Sequence, residues 1–186
     1  MGEKQDALRE KILDCARAIA LSEGIEQISI RRIAGQAGVS VGTVYNYFTD
    51  KEELLLLLTE EYWQDVLQEM DSKIAEGDFC SQLSEIYTFL QEQVDGPGGS
   101  YMNSLIARRN DGQDRMRSME QTLSSILSRR MEQSPTVRKS VWDDAFTREQ
   151  YSRFLVVNLM ALLRDQEDLS FFLKIVKKTI CKKRKG

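Results

Sequence analysis

Residues 29 to 55 read SIRRIAGQAGVSVGTVYNYFTDKEELL, and the order of capping, small and apolar residues in this stretch decides the fold. Ser29 stands where an N-cap opens a short helix through Ala37, with Ile33, Ala34 and Ala37 on one face. Gly38 supplies the tight turn out of it, because glycine enters the left-handed backbone region without a Cβ clash. Ser40 can then cap a second short helix, VGTVYNYF at 41 to 48. Two short helices joined by three or four residues with a glycine form a helix-turn-helix, whose second helix enters the major groove of DNA.

The second helix has two unlike faces. Val44 and Phe48 lie four residues apart and are expected to pack inward against Ile33, Ala37 and Val39. At about 100° per residue, Gly42 and Asn46 then point outward and Thr43 and Tyr45 lie on the flanks. Gly42 lets the backbone come close to a ligand, Thr43 can touch a base or a phosphate, and the hydroxyls of Tyr45 and Tyr47 can hydrogen-bond phosphates or base edges. A pair of ordinary core helices would not account for two outward-flanking tyrosines beside a glycine and a threonine.

Working outward, residues 5 to 22 place Leu8, Ile12, Cys15, Ala16, Ile19 and Ala20 at helical spacing, and Gly24 follows as a stop. Asp50 caps a helix that starts at Lys51, carries LLLLL at 54 to 58 and runs to about Ala75, before the break Glu76-Gly77-Asp78. Further helices are expected over 79 to 94, 101 to 110, 113 to 132, 147 to 164 and 168 to 182, with GPGG at 96 to 99 as the strongest loop. Two prolines in 186 residues suit this reading. The expected fold is all-α, with an N-terminal three-helix DNA-binding module over 1 to 51 and a second helical domain over 52 to 186.

Composition removes several function classes. The chain contains no histidine. That takes away Ser-His and Cys-His nucleophile pairs, His-ligated metals and the most common general base. Asp143 and Asp144 are adjacent and do not face one another on a helix, so an enzyme is not expected. Cys15, Cys80 and Cys181 are far apart without CxxC spacing, which supports neither a disulfide framework nor a zinc site; buried or inert thiols are expected, with no metal and no cofactor. The apolar runs are too short for a bilayer, which needs about 20 residues, so a cytoplasmic protein with no membrane partner is expected.

Net charge is −3 for the whole chain, yet 29 to 51 carries Arg31, Arg32 and Lys51 against Asp50. The motif is locally positive, though modestly. Few phosphate contacts from charged side chains are therefore expected, with helix N-termini and hydroxyls supplying others.

The IA pair at 33 to 34, AGVS, G-T-x-Y, the YF ending and the K-E-E-L opening the next helix resemble the TetR family of bacterial regulators. The likeness is direct over 29 to 55 and extends, with the first helix, over residues 1 through 51. It implies that Ser29 contacts phosphate and that Arg31 reaches a base edge or phosphate. Val41, Gly42, Thr43 and Tyr45 form the reading surface, with Asn46, Tyr47 and Lys51 near the DNA backbone. Val41 departs from the polar or basic residue often found there, and Ile30 replaces a frequent threonine.

The resemblance further implies that the domain over 52 to 186 serves effector binding and dimerisation, in a repressor released from a palindromic double-stranded operator by a small-molecule effector. A DNA-binding protein of the same fold that answers to a protein partner, or to none, is the alternative. Tyr87, Tyr101, Trp142 and Tyr151 are the candidates for an effector pocket within 79 to 163. A homodimer is expected on the last two helices, because FLVVNLMALL at 154 to 163 is apolar at all positions but Asn158, more than one packed face requires. Leu155, Leu159, Leu162, Phe172 and Val176 are its expected contacts, arranged as a four-helix bundle with the two-fold mate.

Overall fold

The computed structural model describes residues 2–96, 98–101 and 111–182. Its helices are α1 (Gly2–Glu23), α2 (Ile30–Ala37), α3 (Val41–Tyr45), α4 (Lys51–Lys73), α5 (Phe79–Asp95), α6 (Asp111–Gln133), α7 (Arg148–Asp165) and α8 (Ser170–Ile180). Among the described residues no strand forms, and the single sheet-like contact is an isolated antiparallel bridge between Val137 and Cys181. The all-helical expectation therefore holds.

The chain divides into two compact units, and the division falls inside α4, between Trp63 and Gln64. The first, the head, holds the described residues up to Trp63 together with those from 98 to 115. It has one continuous apolar core: Ile12, Leu13, Ala16 and Ile19 of α1, Ile33, Ala34 and Ala37 of α2, Val44 and Phe48, Leu54, Leu55 and Leu58 of α4, and Tyr101. Each large side chain so buried contributes about 1.5–3 kcal/mol. A boundary at residue 51 thus falls too early, because the leucines that open α4 complete the head core. Arg17 reinforces this closure, donating to Glu61 from Nε at 2.9 Å and from Nη2 at 3.0 Å.

The second unit comprises Gln64–Gly96 and 116–182. Its core draws on Leu83, Ile86 and Leu90 of α5, Leu123, Leu127 and Met131 of α6, Leu155 and Leu159 of α7, and Phe172, Val176 and Ile180 of α8. One charged group is buried within it: Arg130, 5% exposed, donates to the Asp71 carboxylate at 2.9 and 3.1 Å. It also donates to the carbonyls of Asp71 and Ile74 at 2.8 and 3.1 Å, so the burial leaves the guanidinium satisfied and closes the end of α4. α7 opens on a reciprocal capping box, in which Thr147 accepts from Gln150 N–H and the Gln150 side chain accepts from Thr147 N–H.

The expected loop at 96 to 99 is only partly one. Gly98 and Gly99 are helical, as are Ser100 and Tyr101, while Pro97 lies outside the described residues. Of the helix expected over 101 to 110, all but Tyr101 lies outside them as well.

Candidate nucleic-acid interface

The head is built to present α3. Ser29 adopts an extended backbone and its Oγ accepts from Arg32 N–H at 3.3 Å, starting α2. Gly38 ends α2 in the left-handed region at φ 69°, where a β-carbon would be strained. Ser40 then caps α3, its Oγ accepting from Thr43 N–H at 3.0 Å and lying 2.8 Å from Thr43 Oγ1. The helix expected over 41 to 48 ends earlier, at Tyr45. Its last turn tightens, with Asn46 N–H donating to the carbonyls of Gly42 and Thr43 at 3.1 and 3.2 Å and Tyr47 N–H to Val44 at 3.0 Å.

The two faces of this segment separate as its periodicity requires. Val44 and Phe48 are 0% and 1% exposed and belong to the head core with Ile33 and Ala37, with Val39 packed beside them. Arg9 of α1 lies over the Phe48 ring, 5.4 Å from its centroid, which pins the end of the segment to α1. Val41 and Tyr45 are 37% and 51% exposed, and Gly42 and Asn46 are exposed too. Thr43 and Tyr47 are half-buried, and Tyr47 packs against the core while keeping part of its surface outside. Gly42, Tyr45 and Asn46 thus form one open, uncharged surface on a rigid base.

Charge around α3 is thinner than its sequence suggests. Arg32 forms an ion pair with Glu23 and donates to the Gln27 carbonyl at 3.2 Å, which draws it back onto the head. Of the basic side chains in the motif, exposed Arg31 and half-buried Lys51 stay available to phosphate. Lys51 opens α4 behind a cap in which Asp50 accepts from Glu53 N–H at 2.7 Å and Glu53 accepts from Thr49 N–H at 2.7 Å. Ser40 is the residue that pattern reading placed only as a cap. Its bond to Thr43 fixes the hydroxyl of a residue expected on the reading surface, and the S-x-x-T spacing was the available signal.

The four effector candidates divide between the two units. Tyr101 belongs to the head and stacks on Tyr62, with ring centroids 4.4 Å apart. Tyr87 is committed to backbone, donating to the Glu167 carbonyl at 2.6 Å. Trp142 and Tyr151 do share one aromatic cluster, 5.9 Å apart, each also within 5.5 Å of the Phe146 ring. Trp142 Nε1 is buried with no hydrogen-bond partner among the described residues, the Tyr151 hydroxyl is buried near Thr179, and burial pushes the Tyr151 phenol up to about 12. A separate groove of about 740 Å³ runs along α6 and α7, lined by Ser124, Ser128, Arg129, Ser152 and Arg153 among others, and holds none of the four tyrosines and tryptophans.

The expected dimer contacts need a correction. Leu155, Leu159 and Val176 are 0% exposed and Phe172 is 6% exposed within the single chain, so their side chains face its own core; Leu162 is half-buried. The surplus apolar face predicted for the last two helices exists, but it consists of Phe154, Val157, Phe171 and Ile175, which are 44, 62, 73 and 37% exposed. Periodicity shows that α7 has two apolar faces. It does not say which one meets α5.

Among the described residues no helix is long and apolar enough to cross a membrane, and no group of three or more Cys, Asp or Glu is placed to hold a metal ion. Residues 12–58 match the family model described as bacterial regulatory proteins, tetR family. The fatty acid metabolism regulator protein of Bacillus subtilis (strain 168) is 36% identical over 66 residues, which are 36% of this chain and 34% of that protein. The match therefore spans about a third of the relative's length. Over almost the whole chain the fold is similar to RolR solved with resorcinol, at a TM-score of 0.66 and 16% identity, covering 97% of this chain and 90% of that one. It is similar too to FadR of Thermus thermophilus solved with lauroyl-CoA, at a TM-score of 0.58 and 20% identity, covering 91% of each. At these identities the likeness is one of fold, while the head is matched in sequence. With a helix-turn-helix whose open face lies where the motif requires it, residues 12–58 form a head of the kind found in the tetR family of bacterial regulatory proteins.

Proposed function

We propose that this protein is a cytoplasmic repressor that binds a palindromic DNA operator as a homodimer and leaves it when a small molecule occupies the second unit. The observation that carries the reading is α3, where Val41, Gly42, Tyr45 and Asn46 are exposed around a buried Val44. Val41, Gly42, Thr43 and Tyr45 read base edges, while Ser29, Arg31, Asn46, Tyr47 and Lys51 hold phosphates. The two-fold axis runs through the face of Phe154, Val157, Phe171 and Ile175, since two reading helices about 34 Å apart engage successive major grooves. Left in water, that face would be an association liability.

The effector site is the Trp142 and Tyr151 cluster, whose unmet buried Trp142 donor suits a flat ligand carrying a hydrogen-bond acceptor. Structural neighbours that bind resorcinol and lauroyl-CoA support a small organic effector. Linkage requires only that the ligand prefer the state of the dimer that binds DNA weakly. The test is fluorescence anisotropy on an operator found by selection, screened against phenols, aromatic acids and acyl thioesters. Release by a compound that Trp142→Phe then makes at least tenfold less effective supports the reading; release unchanged by Trp142→Phe places the effector elsewhere.

Phosphate contacts carry their own signature. Lys51→Ala should weaken binding to every sequence alike and reduce the slope of log affinity against log salt by about 1.8, the value of two lost phosphate contacts, one from each subunit. Tyr47→Phe should weaken binding uniformly and leave that slope unchanged. Titration between about 50 and 200 mM salt measures both. A sequence-selective loss at Lys51 with the slope intact would assign it to base reading instead.

A further inference from the structure

Cys80 and Cys181 are separated by 101 positions in sequence, yet their Sγ atoms lie 3.5 Å apart in the second unit, both as free thiols. Cys80 is buried in the first turn of α5, and Cys181, half-buried, closes α8. The segment 136–138 holds both backbones. Phe79 N–H donates to Thr136 Oγ1 at 3.2 Å, and Lys182 N–H donates to the Thr136 carbonyl at 2.8 Å. Arg138 N–H donates to the Ile180 carbonyl, also at 2.8 Å. The sulfurs are therefore presented to each other by hydrogen-bonded main chain, and a bond of about 2.0 Å requires them to close by about 1.5 Å.

We propose that Cys80 and Cys181 form a reversible thiol–disulfide site that takes a hydroperoxide as its oxidant. Cys181 is the sulfur open to solvent. Its thiolate attacks the terminal oxygen of the hydroperoxide, the O–O bond breaks, and the remaining oxygen leaves as an alcohol, or as water when the oxidant is hydrogen peroxide. Cys181 becomes a sulfenic acid, oxidised by two electrons. Cys80 sulfur then attacks the Cys181 sulfur and the S–O bond breaks, with the departing hydroxide taking the Cys80 proton as water. The sum is two thiols and one hydroperoxide giving one disulfide, one alcohol and one water. A thiol reductant reverses it by exchange.

The surroundings favour this order of events. The hydrogen bond from Cys80 lowers the Cys181 thiol below its ordinary range, and the same bond together with burial holds Cys80 above it. Lys177 and Arg138 favour the Cys181 thiolate and Asp78 opposes it. Cys15, in the head, has no such partner and serves as an internal reference.

The experiment uses the full chain. Protein is treated with one equivalent of hydrogen peroxide, quenched, denatured and alkylated. The expected product carries one alkylated cysteine, Cys15, is two hydrogens lighter before labelling, and gives a non-reduced peptide joining Cys80 to Cys181. Dithiothreitol restores all three thiols, and the oxidised form melts roughly 5–10 °C higher because the crosslink closes a loop of about 100 residues. Cys80→Ser should stop at a sulfenic acid that dimedone captures on Cys181, and Cys181→Ser should leave Cys80 unreacted. Three alkylatable thiols in the wild type after peroxide, a disulfide that involves Cys15, or a crosslink between two chains would each overturn the proposal.

Discussion

Val157→Glu and Phe171→Glu are expected to leave the chain folded and make it monomeric, with operator affinity falling by about 10²–10⁴-fold. Both side chains are largely in solvent in the single chain, at 62 and 73% exposed, so a carboxylate there costs the monomer almost nothing. Across a two-fold axis each substitution acts twice, placing paired like charges where an apolar face is to be buried. The size of the loss follows from linkage of two heads: the second contact is intramolecular, and losing it removes about 10²–10⁴ of avidity without touching either reading surface. Leu159→Glu and Phe172→Glu make the contrasting pair. They bury a charge in the chain's own core and should unfold the second unit rather than dissociate the dimer. Sedimentation at micromolar protein with a thermal melt separates the cases. Dimeric Val157→Glu and Phe171→Glu proteins with normal operator binding would move the interface off α7 and α8.

Gly42→Glu is expected to abolish specific binding, by about 10²–10³-fold, while the head melts no lower than wild type. A β-carbon at Gly42 would meet only Ser40 Oγ, at 3.7 Å, an ordinary contact, and a helical glycine replaced by a longer residue gains up to about 1 kcal/mol of backbone stability. Toward DNA the same change adds bulk where the backbone approaches a base edge and a negative charge in the first turn of the reading helix. Losing one base contact costs about 1–3 kcal/mol, and repulsion from neighbouring phosphates adds to it. Changes at Thr43 or Tyr45 are milder and should shift which operator is preferred. Full operator affinity in a stably folded Gly42→Glu protein would show that α3 is not the reading helix.

The head was legible because each of its signals is local. Ser29, Gly38, Ser40 and Asp50 act on backbone groups within a few residues, and Val44 and Phe48 follow a period that any helix obeys. The second unit was legible as helices, but its faces were not. On α7, Leu155 and Leu159 go inward and Phe154 and Val157 outward, although all four are similarly apolar, because packing against α5 decides the matter. Tyr101 illustrates the same gap: it sits far along the chain from the head, yet completes the head core beside Tyr62. The thiol pair was hidden for that reason too. Spacing rules for cysteine detect ligands close in sequence, whereas Cys80 and Cys181 are joined by the return of α8 to the start of α5.

Selection of bound sequences from random duplex DNA, carried out in parallel with wild-type protein and Gly42→Glu, tests the account at its centre. Wild type should enrich an inverted repeat whose half-sites are separated by about one helical turn or a multiple of it, roughly 34 Å per turn, and Gly42→Glu should enrich nothing. No enrichment by wild type, or the same repeat recovered with Gly42→Glu, would contradict the assignment of this chain as a two-fold DNA reader that works through α3.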